Sequence, residues 1–348
     1  MQSYEVLDEA LEAMRDAGPE LRSGLSNHAP MAIEALCAMN RADAVAGWFA
    51  RYRSGMIPRP AAIERIPRDD WRSALARPER FTDWSDLIAE DLREAPWPVV
   101  LDRWVTRLAP GISAAATHGV IRTAHAARAL GHSATPTRLA ELADGLAYWA
   151  STYATLPTRE IPNPSALDPL EAIARVTIVP PAKRIFAGSI TSSFAVLDQT
   201  PDFATAINLL GSENDPARTL SRLTETFARV YLTNAHDALS TIVFIHSVTS
   251  AAAVRSLLPH LSQPTAHAAL RYVWQTGCAL FATFAVTSPQ TLVEESSKDS
   301  AETLIDMAVA NGDEHVVKFT EACLREDALH PSPVHRAAAR HAMTMLKG

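Results

Sequence analysis

Twelve histidines occur in the 348 residues, and five of them, His118, His125, His246, His267 and His315, fall in otherwise apolar, helical surroundings. An imidazole taken out of water needs partners for its ring nitrogens, and a metal ion is one way to supply them. His118 and His125 are seven residues apart in Thr117-His118-Gly119-Val120-Ile121-Arg122-Thr123-Ala124-His125. Two helical turns put them on one face, about 10 Å apart along the axis, within reach of one cavity but not readily of one ion. His246 follows the apolar run Ile242-Val243-Phe244-Ile245, so a carbonyl or a ligand role must satisfy it. His28 stands just before a helix start at Pro30, free to point into a cleft or to act as a cap. His315 and Lys318 are three apart and share a helix face. An ammonium does not bind metal, but a lysine carboxylated by carbon dioxide binds through oxygen. The plainer alternative is a solvated Lys318 paired with Glu314 four residues earlier.

Other chemistries are excluded or weak. Cys37, Cys278 and Cys323 are scattered and odd in number, which argues against a zinc ribbon or a disulfide framework. The 13 glycines never come closer together than Gly18 and Gly24, so neither a dinucleotide fingerprint nor a P-loop exists. A formal net charge of −7 makes nucleic acid an improbable partner. Apolar runs, the longest near 277–286, fall short of the roughly 18 residues of a membrane span. The acidic, amphipathic start is neither signal nor transit peptide. The expectation is a soluble cytoplasmic protein.

The elements that must position these residues are helical almost throughout. Apolar periodicity and end signals predict helices over 4–17, 30–39, 43–53, 84–94 capped by Asp83, 112–130 closed by Gly131, and 137–153. Further helices are expected over 203–210, 216–235, 239–257, 265–284, 300–310, 314–325 and 334–346. Strand signals are few: Val176–Val179, and Thr241–Ile245, which lies inside a helical pattern. Prolines mark extended connectors at 56–67, 96–98 and 156–181. The expected fold is all-α, one large helical domain over 1–348, with 156–181 as the junction if it divides into two lobes around a central metal pocket.

Several segments resemble the questin oxidase-like family, in order over almost the whole chain: Asn27-His28-Ala29-Pro30-Met31, the 43–52 stretch, and the His118 to His125 segment. Phe244-Ile245-His246-Ser247-Val248-Thr249 and Asp313-Glu314-His315-Val316-Val317-Lys318 continue it. The family includes fungal enzymes that open anthraquinone-type rings, in part non-haem iron dioxygenases. The resemblance implies an Fe(II) centre held by His28, His118, His246, His315 and a carboxylated Lys318. One octahedral position would remain for dioxygen or an aromatic substrate. Arg122 stands where the fungal pattern carries histidine, and His125 belongs to the bacterial side. These two are the candidate catalytic residues, with His125 also an alternative ligand. The implied activity is ring cleavage or Baeyer–Villiger-type oxygen insertion on a polycyclic aromatic or quinone-like substrate. Alternatives are an NADPH- or flavin-dependent monooxygenase and a non-catalytic carrier of hydrophobic metabolites. His236-Asp237 adds a third, since it resembles the dipeptide of HD-type metal hydrolases. A homodimer is compatible with all of them. Trp149, Tyr153, Tyr231, Tyr272 and Trp274 are candidates to stack on substrate or to fill the core.

Overall fold

The computed structural model describes residues 2–162, 164–211, 215–289 and 297–348. The fold is all-α, as expected from the periodicity. The N-terminal third contains α1 (Gln2–Ala13), α2 (Ala29–Ala38), α3 (Ala42–Tyr52), α4 (Phe81–Glu94) and α5 (Trp97–Leu108). The middle contains α6 (His118–His132), α7 (Pro136–Ser151), the short α8 (Pro169–Ala174) and α9 (Pro216–Asn234). It ends with α10 (Ala238–Leu257), α11 (Gln263–Phe284), α12 (Ala301–Asn311), α13 (Glu314–Leu329) and α14 (Pro333–Met345).

Local chemistry moved several boundaries. Gly18 does not simply end α1; it lies in β1 (Ala17–Leu21), which pairs antiparallel with β2 (Met56–Pro58). This pairing escaped the periodicity because the strands hold a single β-branched residue, Ile57, between them, and each contains a proline. Pro98 belongs to the first turn of α5, where a missing N–H does no harm, so 96–98 starts a helix rather than forming a connector. Asp83 lies inside α4, and its carboxylate accepts the Ile63 and Glu64 N–H groups, fastening the proline-rich stretch to the helix. The 112–130 helix begins only at His118, because Ala115, Ala116 and Thr117 have φ of 45°, 53° and 72°. Val176–Val179 forms no strand.

The 156–181 segment packs on the main core through Leu156, Ile173 and Val179, and Val179 N–H donates to Ala282 O. That core holds the edge-to-face trio Trp71, Trp84 and Trp104 together with Trp149, Phe227, Phe244 and Trp274. A second cluster joins α1, α2 and α3 around Leu7, Ile33 and Trp48. α13 spans the seam, giving Val316 and Phe319 to the first cluster and Val317 to the second. The longest apolar helix is α10, not the 277–286 run. It has the length and hydropathy of a membrane span, but 78% of its apolar window is buried inside the protein.

Four helices close a ring: α2 packs on α6, α6 on α10, α10 on α13, and α13 on α2. Tight packing behind it depends on Gly119, where an added Cβ would sit 2.6 Å from Trp149 Cα and Cβ on α7. Gly131, by contrast, has open space around it. Gly119→Ala is expected to lose about 1–3 kcal/mol in chemical denaturation, since backbone cannot yield. Gly131→Ala, in the last turn of the same helix, should gain at most about 0.5–1 kcal/mol.

Candidate metal centre

Each helix of the ring delivers part of the site, α13 two residues and the others one. His28 is the residue before α2, His118 the first residue of α6, and His315 the second of α13, while His246 lies mid-helix in α10. Lys318 follows His315 by one turn. All five side chains are buried, at 7% exposure or less. His28 stacks on His118 with ring centroids 4.6 Å apart, and His315 meets His28 edge-on at 4.6 Å. His246 meets His118 at 4.7 Å and His315 at 5.7 Å. The structure therefore brings together residues that are up to 290 positions apart in sequence.

The tautomers follow from the outer partners. His118 Nδ1 lies 2.5 Å from Ala115 O, and His246 Nδ1 2.7 Å from Ile242 O. A carbonyl only accepts, so both Nδ1 atoms carry the proton. His28 Nδ1 donates likewise to Glu314 Oε1 at 3.2 Å. Burial and the neighbouring cationic groups hold His28, His118 and His246 well below the usual imidazole range, so the rings are neutral. Their Nε2 atoms then carry lone pairs, and these face one another. His28 Nε2 is 2.5 Å from His118 Nε2, which is 3.2 Å from His246 Nε2. Converging lone pairs repel unless a cation lies among them, so this arrangement fits a metal ion. A ring nitrogen of His315 lies within 4.8 Å of those of His28 and His118. His315 Nδ1 is buried without a hydrogen bond, 3.5 Å from Asp313 Oδ1.

Lys318 is not the solvated partner of Glu314 that its spacing allows. It is 3% exposed, and burial pushes its amine down to about 8. Among the described residues no carboxylate pairs with it. A small void lies beside it, lined also by His125, Arg128, Thr249 and Glu321.

His125 and Arg122 are engaged elsewhere. His125 Nδ1 is 2.6 Å from Glu34 Oε2, and burial outweighs that carboxylate to keep the ring below its usual range. Glu34 also takes Arg128, which pairs in turn with Glu321, and accepts the Tyr4 hydroxyl at 2.8 Å. His125 is therefore not placed as a substitute ligand, although it lines the void at Lys318. Arg122 is held by Glu141 of α7 at 2.6 and 2.8 Å, and burial outweighs that guanidinium to raise Glu141. The structure gives it a tie between α6 and α7 rather than a place among the imidazoles.

The remaining candidates fill structural roles. Asp237 caps α10 in a reciprocal capping box with Ser240, and both His236 and Asp237 are exposed. No metal-holding group among the described residues includes them. Trp149, Tyr231 and Trp274 are core side chains, fully enclosed. The three cysteines are buried and form no disulfide among the described residues.

The sequence profile of the questin oxidase-like family matches residues 25–323, which contain all five cluster residues. The chain belongs to that family. Membership implies an oxidoreductase of the oxygenase type acting on aromatic substrates. No individually curated protein matches the chain.

Sequence reasoning missed Glu34, Glu314 as a histidine partner, and the Arg128–Glu321 pair. Glu34 had a signal: it is the sole charge in the apolar helix α2. Removing it would leave Arg128 with Glu321 alone and take the acceptor from His125 and Tyr4, so Glu34→Ala should cost about 3–5 kcal/mol in denaturant unfolding.

Proposed function

We propose that this chain is a non-haem iron oxygenase acting on a polycyclic aromatic or quinone-like substrate, by ring cleavage or oxygen insertion. The observation that carries the reading is the convergence of three unprotonated imidazole nitrogens at the buried centre of the helix ring, with His315 beside them. Imidazoles with one anionic oxygen donor suit Fe(II). When bound, iron supplies the activation of dioxygen that organic side chains lack.

Lys318 supplies the anionic donor in this reading, as its carbamate. A bare ammonium there would be buried among four imidazoles with no carboxylate in direct contact, Glu314 and Asp313 acting only from a distance. The ammonium first loses one proton; the neutral amine then forms an N–C bond to carbon dioxide and releases a second, so two protons leave and the cation becomes an anion. Three helix N-termini, those of α2, α6 and α13, converge on the same place, and their positive ends favour negative charge. That field favours both the carbamate and a substrate bound as a phenolate.

In this reading His125 holds the proton. With Nδ1 tied to Glu34 and the ring neutral, its Nε2 accepts a proton from a phenolic hydroxyl. Arg122 keeps the helix that carries both His118 and His125 against α7. The apolar core behind the rings excludes bulk water from the reacting groups.

Protein loaded anaerobically with Fe(II) should hold near-stoichiometric iron by elemental analysis and consume dioxygen with an anthraquinone-type phenol, without added nicotinamide. His246→Ala and His118→Ala should each lose the iron while remaining helical by circular dichroism. Full iron retention in His246→Ala would remove that residue from the ligand set. A wild-type protein that stays metal-free would favour the carrier alternative.

A further inference from the structure

We infer that Glu314 is a positioning residue for His28 and gives it, unlike His118 and His246, a negatively charged hydrogen-bond partner on its outer nitrogen. This rests on the metal reading above. Spacing alone pairs Glu314 with Lys318, one turn on in α13; the structure directs the carboxylate across the ring instead. Glu314 Oε1 lies 3.2 Å from His28 Nδ1 and 4.0 Å from His315 Nδ1, between the two rings. His28 itself is fixed from the backbone side, since its N–H donates to the Tyr52 hydroxyl at 2.7 Å. Asn27 adds two further ties, accepting from Ala29 N–H and donating to Gly18 O.

The contrast lies within the cluster. His118 and His246 give their Nδ1 protons to neutral carbonyls of their own chain segments. His28 gives its proton to a carboxylate from another helix. A carboxylate on the outer nitrogen draws the N–H proton toward itself and raises electron density on Nε2, so that imidazole becomes the stronger donor. It also fixes the ring: without Glu314 the ring can turn over and offer its N–H to the other imidazoles. Glu314 is 25% exposed on its side chain, so the neutral isostere fits without burying a new polar group.

The test compares wild type with Glu314→Gln, using Fe(II) and Co(II) in competition with a chromophoric chelator. Glu314→Gln is expected to bind both ions about 10–100-fold more weakly. Its iron couple should move to a more positive potential, because a weaker donor supports the ferric ion less. The melting temperature of the metal-free variant should match that of metal-free wild type, which separates donor strength from folding. Unchanged affinity and potential in Glu314→Gln would overturn the role assigned to Glu314. Failure of wild type to take up either ion would overturn the metal reading instead, and this inference with it.

Discussion

The organisation of this protein turns on an electrostatic conflict: neutral imidazoles whose lone pairs point at one another in a region closed to water. Each ring is locked in that orientation by what its Nδ1 proton must reach, a carbonyl for His118 and His246 and a carboxylate for His28. Proton transfer does not relieve the conflict, because burial and the nearby cationic groups disfavour a charged ring. A cation relieves it. The closed circuit of α2, α6, α10 and α13 is the scaffold that holds the rings against their mutual repulsion.

Part of that scaffold is strained. Ala115, Ala116 and Thr117 adopt left-handed backbone angles in succession, each disfavoured for a residue with a Cβ. The turn they make carries the Ala115 carbonyl back to His118 Nδ1, which a helix continuing from Ile112 would not do. Around the ring, buried charges are matched in chains, with Glu34 joining Tyr4, His125 and Arg128, and Arg128 reaching Glu321. Such a network tolerates the low dielectric only when complete.

The helices were legible because their apolar periodicity is strong; the predicted ranges for α7, α9, α10, α11, α12 and α14 agree with the structure within two or three residues. The errors cluster where side-chain chemistry, not periodicity, decides: the β1–β2 pair, the start of α5 at a proline, and the late start of α6. The gathering of His28, His118, His246, His315 and Lys318 was not readable from spacing, since only His315 and Lys318 are close in sequence. Family resemblance named the set, and the backbone then showed how it assembles. Resemblance and local context did less well for Arg122, whose partner Glu141 lies on the neighbouring helix and leaves no periodic trace. For Glu314 the sequence offered a local i,i+4 partner, Lys318, as one alternative, and in the structure a distant one, His28, takes its place.

The wide scatter of the ring's contributions along the chain has a consequence for folding. His28 stands 290 residues before Lys318, and neither meets the other until their helices dock. Until α13 joins α2 and α10, the circuit has three sides and lacks both His315 and Lys318. Assembly of the cluster is thereby coupled to long-range helix docking, so a local fault in α13 packing is felt at the centre of the molecule.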